Sequence, residues 1–423
     1  MPRVGAPYIA IGRKEELAAL LSSIDTVAEG GAAVRFLIGR YGSGKSFLMQ
    51  LLRGYAMERN FLCADADLST DQRRLCGGNG AGLATYRELL RNLASKAMPD
   101  GGALPVVLSR HYASLLSSLA DEGILPEDAR FAEALRKKVL ATFAALESGV
   151  GGFDFSRVVC EYFLASAAED EEKKSACLRW LRGEFANKTE ARAELGFRIS
   201  TVVDDENWYD FIKLWALLAR HLGYAGLIVY IDECIILYKI VNRVSRESNY
   251  EKLLTIFNDT LQGRAEGLGV IFGGTPQFLE DTRRGLFSYE ALRSRLADSR
   301  FAEAGYNTLS SPVIRLRRLS DNELYALVKR LSRLHAQQYG GEEQLSEEQM
   351  KEFLTASLSR AGAEELMTPR EIIRDFLSLL SILKENPNVT FASVMKRKTE
   401  ENTKAEENKE EKAKALDLAD FDF

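Results

Sequence analysis

The sequence predicts an α/β protein: a parallel sheet carrying a phosphate-binding loop, with a helical insertion and a C-terminal helical lid. Three observations predict it. The pattern G-x-x-x-x-G-K-S runs from Gly39 to Ser46 between an apolar run, Val34 to Ile38, and a segment of helical period ending near Ala56. Further apolar runs, "LIVYI" and "LGVIF", are separated by helix-like stretches. Fully apolar strands alternating with helices are the mark of a parallel sheet covered on both faces.

Taking the elements in order, "IGRKEELAALLSSI" from Ile11 places Leu17, Leu20, Leu21 and Ile24 on one helical face ahead of the first strand. "FLCADADL", Phe61 to Leu68, reads as a second strand that turns acidic at its end. From Leu83 to about Arg198 the pattern is helical, with segments at Tyr86 to Ala97, Val106 to Asp121, Phe131 to Glu147 and Phe155 to Ala168. "WYDFIKLWALLARHLG" forms another helix, with Trp208, Phe211, Ile212, Trp215, Leu218 and Leu222 on its apolar face. Strands follow at Gly226 to Cys234, Leu268 to Pro276 and from Pro312.

Beyond Arg318 three helices announce themselves by their caps: Ser320 with Glu323, Ser346 with Gln349, and Thr368 followed by Pro369 and Glu371. The expected organisation is a first part of the core at 1–82, a helical insertion at 83–200, the rest of the core at 201–318, a lid at 319–390 and a disordered acidic tail at 391–423. Leu416, Leu418, Phe421 and Phe423 give that tail an acidic-hydrophobic ending suited to docking on a partner.

Composition excludes several classes. The net charge of −5 argues against wholesale coating of nucleic acid, and four lysines against nine acidic residues in Thr399 to Phe423 account for all of it. Basic clusters at Arg315, Arg317 and Arg318, at Lys329, Arg330 and Arg333, and at Lys396, Arg397 and Lys398 suit either phosphate backbones or a solvated face. Five cysteines without a C-x-x-C pair, and three histidines scattered along the chain, give no zinc pattern. No membrane-length apolar run or leader-like start is present, so a cytoplasmic protein is expected. "LCGGNG", Leu75 to Gly80, reads as a mobile glycine loop.

The chemistry concentrates at the loop. Glycines at 39, 42 and 44 allow tight backbone turns whose N–H groups wrap phosphates, with Arg40, Tyr41, Ser43 and Phe47 completing the cradle. Lys45 would reach the terminal phosphates of ATP, and Ser46 would bind Mg2+. Asp232 and Glu233 close the "LIVYI" strand, where Asp232 could hold the metal and Glu233 polarise water; the alternative is a polar turn.

These motifs, with Thr275 after its own strand and Arg370 in "TPRE", resemble the AAA+ (additional-strand) ATPases, in particular their initiator-like, origin-recognition branch. The resemblance implies that another strand lies between the acid-bearing strand and the phosphate-loop strand. It implies Thr275 as a first sensor orienting water, Arg370 as a second sensor reaching the phosphates from the lid, and Ile11, Gly12 and Arg13 as the segment flanking adenine. "IGRKEE", "YIDE", "FGGTP", "LRSRL" and "TPREIIRDF" together resemble the ATP-binding protein of BREX bacteriophage-defence systems over most of residues 5 to 390. That implies a prokaryotic cytoplasmic ATPase working with DNA-processing partners of the same defence system, with direct or partner-mediated contact to DNA.

"YEALRSRLADSR", Tyr289 to Arg300, places Arg293, and second Arg295, where an arginine could enter a neighbour's site in a homo-oligomer; a surface ion pair is the competing reading. For Arg370, in the first turn of a capped helix where the dipole disfavours positive charge, the competing reading is a solvated side chain. Two functions stay open: an ATPase remodelling a DNA-associated complex, and a nucleotide-gated interaction module or DNA-binding adaptor with little turnover.

Overall fold

A computed structural model describes residues 6–143, 150–297, 311–359 and 367–396. The sheet is built from five parallel strands: β1 (Ala33–Ile38), β2 (Leu62–Asp67), β3 (Leu227–Asp232), β4 (Leu268–Gly274) and β5 (Val313–Arg315). Their order is β2-β3-β4-β1-β5, so β4 separates the phosphate-loop strand from the acid-bearing one. Both β3 and β4 are buried along their whole length, as their unbroken apolar sequences require.

Helices α1 (Lys14–Ala28) and α2 (Lys45–Glu58) flank β1 in sequence. Leu20, Ile24 and Val27 of α1 and Leu48, Leu51, Leu52 and Ala56 of α2 turn inward at helical spacing. Beyond β2 come α3 (Ala81–Arg91), α4 (Leu104–Asp121), α5 (Phe131–Phe143), α6 (Gly152–Ala167), α7 (Glu171–Leu181), α8 (Lys188–Leu195) and α9 (Trp208–His221). Between β3 and β4 lie α10 (Ile235–Lys239) and α11 (Arg243–Leu261), and after β4 come α12 (Pro276–Glu280) and α13 (Glu290–Leu296).

The chain divides into two compact units: the described residues of Lys14–Arg40 and Lys45–Leu316, and those of Pro2–Arg13, Tyr41–Gly44 and Arg317–Phe423. In the first, the helices of 83–200 share one continuous core with the sheet. Trp180, Trp208 and Trp215 are almost fully buried there. Burying three large rings needs polar outlets. Trp215 Nε1 donates to the Tyr86 hydroxyl at 3.0 Å, which donates to the Leu181 carbonyl at 2.7 Å, and Trp208 Nε1 donates to the Leu75 carbonyl at 2.9 Å.

The second unit contains α14 (Asp321–Tyr339), α15 (Glu347–Leu358) and α16 (Pro369–Glu385) around Leu324, Val328, Phe353, Ile372 and Phe376, with Ile9 and Ile11 packed against them. Ser320 and Ser346 form complete capping boxes with Glu323 and Gln349. At α16 the Glu371 carboxylate instead takes both the Thr368 N–H, at 2.9 Å, and the Thr368 hydroxyl, at 3.0 Å.

Four expectations differ from the structure. The segment expected as a helix from Tyr86 to Ala97 is helical from Ala81 to Arg91. Asp205 accepts from the backbone N–H of Gly80 and Leu83 at 2.9 Å each, fixing an earlier start, and Ala94 pairs with Cys63 beside β2. The "LCGGNG" loop is pinned at its entrance, where Asn249 Oδ1 accepts from Leu75 and Cys76 and its Nδ2 donates to the Cys76 carbonyl. His111 and His221, far apart in sequence, are electrostatic neighbours: burial, then the charge of His221, lowers the pKa of His111 to about 4. The tail expected to be disordered from residue 391 begins later: residues 391–396 are helical, because Phe391 and Met395 are buried in the core of the second unit, while Arg397, Lys398 and the rest of the tail expected to dock on partners lie outside the described residues.

Candidate functional site

The site grows from the carboxyl ends of β1, β3 and β4. The Gly39 N–H donates to the Gly274 carbonyl at 3.1 Å, continuing the β1–β4 ladder to the mouth of the loop. Gly42 and Gly44 have φ of 78° and 95°, the left-handed region that favours glycine. Lys45 opens α2, and its ammonium donates to the carbonyls of Gly39 at 2.8 Å and Arg40 at 3.1 Å. Burial lowers the pKa of Lys45, while the charges of Asp232 and Glu233 hold it up.

The Ser46 hydroxyl donates to Asp232 Oδ2 at 2.5 Å, and Asp232 Oδ1 accepts the Glu233 N–H at 2.8 Å. Asp232 is 9 % exposed and ends a wholly buried strand. Room for its carboxylate comes from Gly273 on β4, where an added Cβ would collide with Asp232 Oδ1 and crowd Met49 Sδ at 3.1 Å. Glu233 adopts φ 58°, unusual for a residue bearing a long side chain and worth about 1–2 kcal/mol of strain. The Cys234 N–H, donating to the Gly273 carbonyl at 2.9 Å, and the Ile236 N–H, donating to the Glu233 carbonyl at 3.0 Å, hold that turn.

Asp67, which sequence reasoning passed over, stands beside Asp232 in the β2–β3 register. Desolvation, then the negative charges of Asp232 and Glu233, push its pKa up. The acidic end of "FLCADADL" was the available signal, but only the strand order shows which acid it adjoins.

Thr275 follows β4 directly, and its hydroxyl accepts the Phe278 N–H at 3.3 Å, capping α12. Arg293 is exposed on α13, and Arg295 donates to the Ala291 carbonyl of its own helix at 2.7 Å. The structure therefore gives neither arginine a phosphate-loop partner among the described residues.

The second unit holds the remaining residues. Arg370 lies over the Tyr41 ring at 5.6 Å and donates to its hydroxyl at 3.3 Å. A side chain at Gly42 would meet Thr368 Oγ1 at 2.6 Å. Arg13, 7 % exposed, donates to the carbonyls of Arg317 at 2.7 Å and Ser43 at 3.1 Å. Gly12, at φ 71°, has Leu319 Cδ2 2.6 Å from where a Cβ would stand. Ile11, Gly12 and Arg13 thus pack among the C-terminal helices, with Arg13 bracing the loop's backbone.

A parallel sheet in this order with helical extensions, bearing a lysine and a serine beside a strand-end aspartate, is consistent with the phosphate-loop class in its AAA+ form. The family model described as "BREX system ATP-binding protein BrxC/D" matches residues 1–399, and the chain belongs to that family. It is an ATP-binding protein of a BREX defence system, a membership that suggests a place in a multi-protein defence complex. No curated protein matches the chain. No helix among the described residues is long and apolar enough to cross a membrane.

Proposed function

We propose that the chain is an AAA+ ATPase that couples nucleotide state to assembly or remodelling of a DNA-associated BREX complex. The observation that carries this reading is the join of Ser46 to Asp232, with Lys45 held electrostatically by the same carboxylates. That hydrogen bond joins the phosphate loop to an acid 186 residues further along the chain, at the carboxyl ends of the strands.

The donor set fits Mg2+: a hydroxyl and a carboxylate, hard oxygen ligands of the kind that leave room for water and phosphate oxygens. Ser46 and Asp232 would hold the ion, which would neutralise charge on the β- and γ-phosphates when bound. The glycine turns would present N–H groups to the phosphates, and Lys45 would leave its carbonyl partners to reach the terminal ones. Glu233 would take the proton of the attacking water, with its N–H held by Asp232 Oδ1 fixing the backbone from which it acts. Thr275 as the water-orienting residue, Arg370 as a phosphate sensor, and Arg293 or Arg295 acting from an adjoining subunit belong to this proposal on family resemblance. So do a homo-oligomer, BREX partner proteins and direct or partner-mediated contact with DNA.

The test is Mg2+-dependent ATP turnover by the chain with DNA and its native partners. Glu233→Gln should keep ATP binding and reduce turnover by about 10²-fold or more, a typical contribution of a general base. Wild-type protein that shows no turnover under those conditions overturns the reading. One observation favours a second function, a nucleotide-gated interaction module with little turnover: the Thr275 hydroxyl accepts the Phe278 N–H and Arg295 donates to the Ala291 carbonyl, both local helix contacts. In that case Glu233→Gln leaves ATP-dependent partner binding and function intact.

A further inference from the structure

A cavity of about 410 Å³ lies in the helical insertion, bordered by Arg87, Leu90, Arg91, Gly102, Arg182 and Glu184, with Leu104. All belong to the unit containing the sheet, and none takes part in the phosphate-loop site. Its volume falls within the range of small-molecule sites, roughly 300–1,000 Å³.

Each part of the wall has a defined chemistry. Leu90 and Leu104 are buried, 2 % and 1 % exposed, and belong to the core behind the wall. Gly102, at φ 70°, closes the α3–α4 connection with its N–H donating to the Arg91 carbonyl at 3.0 Å, and a Cβ built on it would meet nothing within 4 Å. Backbone there is open to close approach by another molecule. Arg87 is half-buried and tethered through Nε to the Gly183 carbonyl at 2.7 Å, which leaves the two terminal nitrogens of its fork for another acceptor. Arg182 caps α7 and reaches Glu184 at 4.0 Å, an ion pair at the limit of its range. Arg91, mostly exposed, donates to Glu88 at 3.2 Å.

Three guanidinium groups and the Glu184 carboxylate therefore border the cavity, with Arg91 also paired to Glu88 outside its lining. Arginine is suited to this because its planar fork matches phosphate oxygens two at a time and keeps its charge when partly buried. We propose that this cavity binds a phosphate-bearing ligand, its phosphate on Arg87, Arg91 and Arg182. That phosphate has two possible sources with the same chemistry, a free mononucleotide and a single-stranded nucleic acid. The proposal does not rest on ATP hydrolysis, and it gives the insertion a ligand of its own.

The experiment starts from the full chain carrying Lys45→Ala, which removes the phosphate loop's main cation. Adenosine monophosphate is titrated by calorimetry, and a fluorescein-labelled single-stranded oligodeoxynucleotide by anisotropy. Saturable binding of either supports the site. Competition of the two identifies a free nucleotide as sufficient, and binding of the oligonucleotide alone identifies the strand. Adding Arg91→Glu and Arg182→Glu should weaken that binding at least tenfold while the thermal unfolding midpoint stays within a few degrees. Because Arg87 holds the Gly183 carbonyl and its loss could disturb folding, Arg87→Lys serves there and should weaken binding severalfold. Absence of saturable binding by both probes overturns the proposal. So does binding that the two charge reversals leave unchanged in protein that still unfolds cooperatively.

Discussion

The two ends of the phosphate loop are built by different means. Lys45 and Ser46, at the foot, are fixed by carbonyls at the end of β1 and by an aspartate that closes a buried strand. Tyr41 to Gly44, at the tip, group with the C-terminal helices and are held by an exposed ring under Arg370, by a glycine fitted against Thr368 and by the Arg13 brace. The foot is an arrangement of opposite charges near the sheet, where low dielectric strengthens each interaction. The tip, apart from Arg13, relies on exposed contacts worth about 0.5–1 kcal/mol each. The comparison teaches that charge placement and loop shape can be altered separately.

Lys45→Ala is the harshest test of the foot. It should reduce ATP affinity by two orders of magnitude or more, read by titration of a fluorescent ATP analogue, while leaving the unfolding midpoint nearly unchanged. A mild loss of affinity would mean that the tip, not the foot, dominates binding. Arg13→Ala should act the other way round. Removing a buried donor of two backbone hydrogen bonds should cost about 1–3 kcal/mol in chemical denaturation, with a smaller effect on nucleotide affinity.

Acid should push the two regions in opposite directions. Glu323 carries a bidentate pair with Arg317, whose carbonyl in turn accepts from Arg13. Hydrogen bonding to Arg317, chiefly, holds the Glu323 carboxyl down to about 2. Its folded pKa lies below its unfolded one, so its stabilisation is complete above about pH 4.5 and disappears as pH falls through 2. Asp67 has the reverse sign, since its raised pKa makes the folded state the better proton acceptor. Acidification from neutrality therefore relieves a penalty at Asp67. Asp67→Asn should stabilise at pH 7, and its advantage should shrink at pH 4; an equal gain at both pH values would show that the ionised carboxylate, desolvated and facing Asp232 and Glu233, is not the cause. The smallest effect is expected from Tyr41→Phe, which keeps the ring beneath Arg370 and removes a 3.3 Å hydrogen bond. A change of less than about 0.5 kcal/mol in stability would fit an exposed contact, and a larger one would show that the tip is stiffer than its exposure implies.

Much of this was legible in the sequence because it depends on local pattern. Glycine spacing, the unbroken apolar strands and the serine caps each state a backbone requirement within a few residues. The strand order also matches the family resemblance, which placed a strand between those bearing Gly39 and Asp232. What stayed hidden depends on distant partners. Nothing near Arg13 in the chain announces Ser43 and Arg317 as its acceptors, and nothing near Asp205 announces the start of α3. Helices α7 and α8 lie within the stretch read as helical, but their limits are not legible although Asp170 and Asn187 cap them, because their weakly apolar faces are completed only by packing against the rest of the insertion. The charge burden on Asp67 likewise needs the register of two strands more than 150 residues apart.

Gly273 carries a last consequence. The carboxylate of Asp232 occupies ground that any larger residue on the neighbouring strand would claim. A single methyl group added there, neutral and far from conspicuous in a hydrophobic run, should unseat the acid without touching its identity. Searches for inactivating substitutions that look only for lost polar groups would overlook the position, though the machine's negative pole is anchored by an empty place in its wall.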